Sequence, residues 1–241
     1  MILLLIKDKY LINRKMKYIV IGLGYFGSKL ASNLTNMGHE VIGIDNHSER
    51  LDELKDSITT VMKMDSTNIS AIKSLPLNDT DAVIVAIGDV GSSILTLSIL
   101  KNLNVKRIIG RAIHQTHHNI LTQIGIEEVV LPLEESAMHV SSMLQIKNAL
   151  RLTEINEEYA IAEILVPAKY TGHSLDTLNI QNRFNLVLVA VKIAPKEGIL
   201  TSIFRRNYKV DLTYGVDLPL GEKDILVLAG KIIDIKRFSE S

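Results

Sequence analysis

The 241-residue chain contains no cysteine and no tryptophan. Without cysteine there is no disulfide framework, no thiolate nucleophile and no zinc–thiolate centre, a composition that suits a reducing cytoplasm. Aromatic residues make up 5% of the chain, too few for platforms on which bases stack. An excess of either charge is missing as well: 27 basic and 27 acidic residues cancel, so no bulk field recruits a nucleic acid. No apolar run approaches the roughly 18–20 residues that a membrane-spanning helix needs. The N-terminal run, Ile2 to Ile6, is shorter than a signal-peptide core and no basic region precedes it. Residues 1–15 are expected to be a disordered extension, or the product of an upstream start codon misread as the true one.

What is present is a core-forming chain. Apolar residues reach 46%, and the length fits one large domain or two smaller ones. Up to about residue 131, short apolar runs alternate with amphipathic segments. The runs are Tyr18–Ile21, Val41–Ile44, Thr60–Met64, Ala82–Ile87, Arg107–Ile109 and Glu128–Leu131. Several are rich in valine and isoleucine and apolar on both faces, as strands are when helices cover both sides of a parallel sheet. Leu30, Leu34 and Met37, and then Ile94, Leu97, Ile99 and Leu100, carry helical spacing between them. The repeated βαβ order predicts an α/β fold with a Rossmann-like, doubly wound parallel sheet over residues 16–133.

Residues 134–150 read as one amphipathic helix with Met138, Met143, Leu144, Ile146, Ala149 and Leu150 on its apolar side, within a connecting segment 134–153. Beyond it, strand-like runs at Ala160–Val166, Leu186–Ile193, Ile199–Phe204 and Ile225–Ala229 are separated by turn signals. They predict a small α+β C-terminal domain over residues 154–241, with an antiparallel sheet.

The run Gly22-Leu23-Gly24-Tyr25-Phe26-Gly27 gives G-x-G-x-x-G between a strand and a helix. The first glycine permits the tight turn, the second lets backbone approach a diphosphate, and the third lets helix and strand pack closely. The diphosphate then rests on the free N–H groups and positive end of the helix. Asp45 ends the next strand, followed by Asn46. A carboxylate there accepts from ribose hydroxyls and repels a 2′-phosphate, which favours NAD(H) or ATP/ADP over NADP(H). Asp65 and Ser66 follow the third strand, Ala86-Ile87-Gly88 the fourth and Arg111 the fifth. All fall at carboxyl ends of strands, where open α/β sheets bind ligands, and Arg111 is placed to reach a terminal phosphate.

Catalytic signals are sparse. His114, His117 and His118 form H-x-x-H-H on a helix, at offsets that put them on one face. No nearby acid completes a metal motif, and surface or interface histidines are the simpler expectation. Glu134 and Glu135 either favour a helix dipole or offer oxygen ligands to a hard cation such as calcium. The C-terminal part offers little that resembles a proton-transfer group beside a nicotinamide. A small NAD-dependent oxidoreductase is the main alternative, and a DNA-binding redox repressor is disfavoured by the neutral charge.

With these motifs placed, the chain resembles the regulatory subunits of Trk/Ktr-type potassium uptake systems, built from RCK (or KTN) domains, over residues 16–239. The elements that carry the resemblance are I-V-I-G-L-G-Y-F-G, M-G-H-E-V-I-G-I-D, D-A-V-I-V-A-I-G, L-x-x-I-G-I-E-E-V-V-L-P and G-E-K-D-I-L-V-L-A-G-K-I-I-D-I-K-R-F. The resemblance implies a non-enzymatic, cytoplasmic subunit that dimerises, assembles into an octameric ring and docks on a membrane subunit that conducts potassium. It implies ATP/ADP or NAD(H) as regulatory ligand, held by Gly22, Gly24, Tyr25, Asp45, Asp65, Ser66, Gly88, Arg111 and His117. Three departures stand out. Tyr25 replaces an arginine that many relatives carry after G-L-G. Leu133 stands where some relatives have a cation-binding glutamate, so a divalent-cation site would need Glu134 or Glu135. Some C-terminal subdomains bind cyclic di-AMP through an arginine in an L-N-V-R-type run; here the matching run is Leu178-Asn179-Ile180-Gln181.

Overall fold

The computed structural model describes residues 14–195 and 208–241. The expected N-terminal extension and the expected strand Ile199–Phe204 lie outside these residues, the former apart from Arg14 and Lys15. The chain divides into two compact units, Met1–Glu134 and Glu135–Ser241.

In the first unit, β1 (Lys17–Ile21), β2 (Glu40–Asp45), β3 (Thr60–Lys63), β4 (Ala82–Val85), β5 (Ile108–Arg111) and β6 (Glu128–Val130) form a parallel sheet of order β3-β2-β1-β4-β5-β6. The crossovers carry α1 (Tyr25–Asn36), α2 (Ser48–Leu54), α3 (Ile69–Lys73), α4 (Val90–Asn102) and α5 (Gln115–Gln123). Alternation along the central strands supplies two cores. Ile19, Ile21, Val83 and Val85 pack with Leu97 and Leu100 of α4 and Leu121 of α5, while Val20, Ala82 and Ile84 pack with Ala31 of α1 and Leu51 of α2. Both faces of β1 and β4 are therefore buried, as their continuous apolar sequence requires. The strand order reverses between β1 and β4, which opens a crevice at their carboxyl ends.

The second unit holds an antiparallel sheet of order β10-β9-β11-β8-β7. Its strands are β7 (Ala149–Glu154), β8 (Tyr159–Leu165), β9 (Val187–Ile193), β10 (Lys209–Asp211) and β11 (Ile225–Lys231). α7 (Leu175–Leu178), α8 (Ile180–Phe184) and α9 (Ile232–Glu240) accompany it. Phe238 of α9 is fully buried, stacked on Tyr170 at 5.5 Å and edge-on to Phe184 at 5.1 Å between ring centroids. This unit is the α+β part anticipated above.

One expected element is corrected. α6 covers Pro132–Leu144, not residues 134–150, and Ala149–Glu154 is a strand. Asn148 takes φ 60, the left-handed conformation that asparagine tolerates, and the helix cannot continue through it. Beyond it Leu152 is the one buried residue of β7, with Leu150, Arg151, Thr153 and Glu154 exposed, so the strand shows no alternation by which its sequence could be told from a helix. No residue of α6 is buried.

Candidate functional site

The crevice at the strand-order reversal is a cleft of about 330 Å³, within the range of small-ligand sites, roughly 300–1,000 Å³. In sheet order it is lined by Asp65 and Ser66 after β3, Asp45 and Asn46 at the end of β2, Gly22 and Gly24 after β1, Ala86, Ile87 and Gly88 after β4, and Arg111 at the end of β5. These ten expected residues are brought together by the strand ends.

The glycine loop is built by close approach. Gly22 has φ +91, and its N–H donates to Ile44 O at 2.8 Å, stitching the turn to β2. A Cβ at Gly27 would sit 1.9 Å from Gly22 O, so nothing larger than glycine lets α1 start here. Gly24 caps α1 with no side-chain hydrogen bond, and no acid occupies the first turn. The first-turn N–H groups are therefore left for a ligand, at the positive end of a twelve-residue helix.

Asp45 is 5% exposed. Its Oδ2 accepts from the Leu23 amide at 2.8 Å and from Arg50 Nη1 at 3.2 Å, and its Oδ1 accepts from the His47 amide at 2.9 Å. His47 Nδ1 lies 2.9 Å from the same Oδ1. Burial is the largest single influence on this carboxyl and opposes ionisation. The contacts from His47, Leu23 and Arg50 together outweigh it and hold the pKa below the ordinary carboxylate value. At the other end, Arg111 lies over the Phe26 ring at 5.6 Å and donates from Nη1 to Ala86 O at 3.4 Å, while its buried Nε has no partner. Ser66 is buried, its hydroxyl 3.0 Å from that of Thr96.

Several expected residues fall elsewhere. Leu23, Tyr25, Phe26, Gly27 and His117 do not line the cleft. Leu23 is core and Gly27 serves packing, while Phe26 supports Arg111. Tyr25 is 96% exposed on α1. His117 is fully buried, so the expectation of surface histidines fails for it: its Nδ1 accepts weakly from the Ile113 amide at 3.4 Å, and its Nε2 has no partner. His114 instead caps α5, its ring accepting from the His117 amide at 3.2 Å. Among the described residues, no three His, Cys, Asp or Glu side chains gather where they would hold a metal ion, so neither the histidine run nor Glu134 and Glu135 makes a centre within one chain.

The cleft also contains residues that motif reading passed over: His47, Arg50, Met64, Thr67, Asp89 and Ser92. Asp89 caps α4, accepting from the Ser92 amide and hydroxyl at 2.8 Å each. The Asp-x-x-Ser spacing was the available signal for that cap.

Two titrations have opposite chemical origins and the same sign. The depressed Asp45 pKa contributes stability that is present above the unfolded value near 3.9 and is lost as pH falls through the folded value. Burial, then His114 and Arg111, push the His117 pKa down. The unfolded chain thus takes a proton near pH 6.5 that the folded chain refuses, and stability falls with pH from about 6.5 downward. Thermal melts in a pH series should show this earlier loss in the parent protein and not in His117→Asn. Superimposable pH profiles would remove His117 as its source.

A family model described as the TrkA-N domain matches residues 18–132. Ktr system potassium uptake protein C of Bacillus subtilis is 31% identical over 227 residues, covering 94% of this chain and 97% of that protein. The chain belongs to the Ktr potassium uptake protein family. Ktr system potassium uptake protein A of the same organism is 28% identical over 93% of this chain and 96% of its own length. That of Vibrio alginolyticus is 28% identical over 67% and 74%. Among solved structures, the GsuK RCK domain superposes with a TM-score of 0.64 at 15% identity, covering 95% of this chain and 48% of that one. The GsuK channel bound to NAD gives 0.63 at 16% identity over 94% and 39%. This chain therefore spans about half or less of those chains, and the likeness establishes the RCK fold. Among the described residues no helix is long and apolar enough to cross a membrane.

Proposed function

We propose that this Ktr-family chain is a cytoplasmic regulatory subunit that senses an adenine nucleotide and gates a membrane subunit conducting potassium. The observation that carries this reading is the layout of the cleft. Asp45 stands at the ribose end, the uncapped N-terminus of α1 lies in the middle, and Arg111 has an unpartnered Nε at the far end. That order suits adenosine, diphosphate and a terminal group in turn. ATP/ADP and NAD(H) both fit the description. The Ktr potassium uptake relatives and the NAD-bound GsuK channel support the same direction for potassium uptake and for nucleotide.

Assembly into dimers and a ring is part of the proposal. Leu133, Met138, Val140 and Leu144 are exposed on α6 and offer an apolar surface to a second copy. A nucleotide gates such a ring only through different affinities for its two shapes; moving one from 1:99 to 99:1 takes roughly 10⁴-fold preference, shared among the sites. In the second unit, a cleft of about 340 Å³ is lined by Leu175, Asp176, Asn179, Ile180 and Gln181. Gln181 there makes cyclic di-AMP a weaker candidate ligand than the nucleotides.

Titrating the purified protein with ATP, ADP, NADH and cyclic di-AMP, with oligomeric state followed by light scattering, tests the reading. At least one nucleotide should bind and shift the assembly. Arg111→Ala should weaken the triphosphate or diphosphate by roughly 10- to 100-fold, the loss of one charge-assisted contact. Turnover of bound NADH with small carbonyl substrates would favour the oxidoreductase instead.

A further inference from the structure

We infer that the ribose end of the cleft also accepts a nucleotide carrying a 2′-phosphate, with Arg50 as the group that meets it; this rests on the nucleotide reading above. A lone aspartate after β2 repels such a phosphate and keeps its lone pairs free for ribose hydroxyls. Asp45 does neither. A carboxylate offers about four lone-pair sites. Here they are taken by the Leu23 amide, the His47 amide, the His47 ring and Arg50. The side chain of Asp45 is 3% exposed and that of Arg50 is 48% exposed. A ligand arriving at this end therefore meets a guanidinium first, with the carboxylate charge behind it already paired.

A second cation lies on the neighbouring strand β3. Lys63 is the register partner of Asp45 across β2 and β3, and its ammonium donates to Ser48 Oγ at 2.7 Å. The acids on the neighbouring elements are Glu49, Asp52 and Glu53 of α2, all three exposed, and Asp65, whose carboxylate already accepts from the Thr67 amide and hydroxyl. Arg50 holds Asp45 at 3.2 and 3.5 Å, the longest of that carboxylate's contacts. It is the contact most readily exchanged. A guanidinium binds phosphate in a bidentate fashion, and its departure frees an Asp45 lone pair for the neighbouring ribose hydroxyl.

NADH and NADPH differ at this end by the 2′-phosphate alone, so their ratio of dissociation constants isolates the effect. Fluorescence titration of the parent protein should give constants within about tenfold of each other. Arg50→Ala should raise the ratio of the NADPH to the NADH dissociation constant by roughly 10- to 100-fold, as expected for one charge-assisted contact that only the 2′-phosphate makes. Arg50→Lys should recover part of the NADPH affinity, which a merely structural role would not produce. A parent protein that binds NADH and rejects NADPH by more than about 100-fold overturns the inference and leaves the nucleotide reading standing. So does an Arg50→Ala variant that loses both ligands equally. If NADH, NADPH, ATP and ADP all fail to bind the folded parent, the nucleotide reading falls and this inference with it.

Discussion

Asp45→Ala is expected to lower affinity for ADP and NADH by about 100-fold or more, since one side chain holds the glycine loop, the turn at His47 and Arg50 in place around the ribose end. The carboxylate accepts from the Leu23 amide, inside the glycine loop, and from the His47 amide, at the start of the next connection. Alanine leaves the Leu23 N–H buried without a partner, at a cost of about 1–3 kcal/mol, and releases Arg50 from its ion pair. Asp45→Asn retains an acceptor for Leu23 and should melt closer to the parent while still binding weakly. Calorimetric titration with ADP separates the two effects. Parent-like affinity in Asp45→Ala would end the assignment of this end of the cleft to ribose.

The glycine loop supports a second, larger effect on stability, and two of its glycines should behave in opposite ways. Gly27→Ala places a Cβ 1.9 Å from Gly22 O, against backbone that has no freedom to retreat. The melting temperature should fall by on the order of 10 °C, or the chain should fail to accumulate. At Gly24 a Cβ meets nothing within 4 Å. Gly24→Ala should fold normally and lose affinity for the diphosphate, because the methyl group occupies the approach that the ligand backbone contact needs. Equal melting temperatures for the two variants would contradict the packing account of Gly27. Unchanged ADP affinity in Gly24→Ala would contradict the ligand account of Gly24.

The parallel sheet was legible because its information is local. β1 and β4 are short apolar runs buried on both faces, and each is followed by a helix that begins at a recognisable signal. The same holds for Gly22, Gly27 and Asp45, whose roles follow from turn geometry and from position at a strand end. The end of α6 and the start of β7 differ from the expectation because Met143, Leu144, Ile146, Ala149 and Leu150 satisfy helical spacing, although the helix stops at Leu144 and Asn148, at φ 60, precedes the strand. His47 and Arg50 lie within five residues of Asp45, yet their engagement depends on how α2 turns back over the strand end. Nothing in the order of letters shows that turn. Tyr25, whose place in the loop implied a ligand contact, lies exposed outside the cleft of a single chain.

Reading the residues in order was enough to fix the fold class, the two-part organisation, the family resemblance and most of the strand-end residues of the cleft. Periodicity and turn chemistry act over a few positions, and each strand-end residue inherits its place from the strand before it. The charge state of the ribose end needed the folded chain. Whether Asp45 faces a ligand as a free carboxylate or as one already paired with Arg50 depends on contacts a few ångströms long between β2, the glycine loop and α2. The burial of His117 needed it too, since the folded chain turns that ring onto the Ile113 amide, near His114 and Arg111, rather than toward water. Both are consequences of packing between elements, where residues distant in sequence decide what a side chain touches.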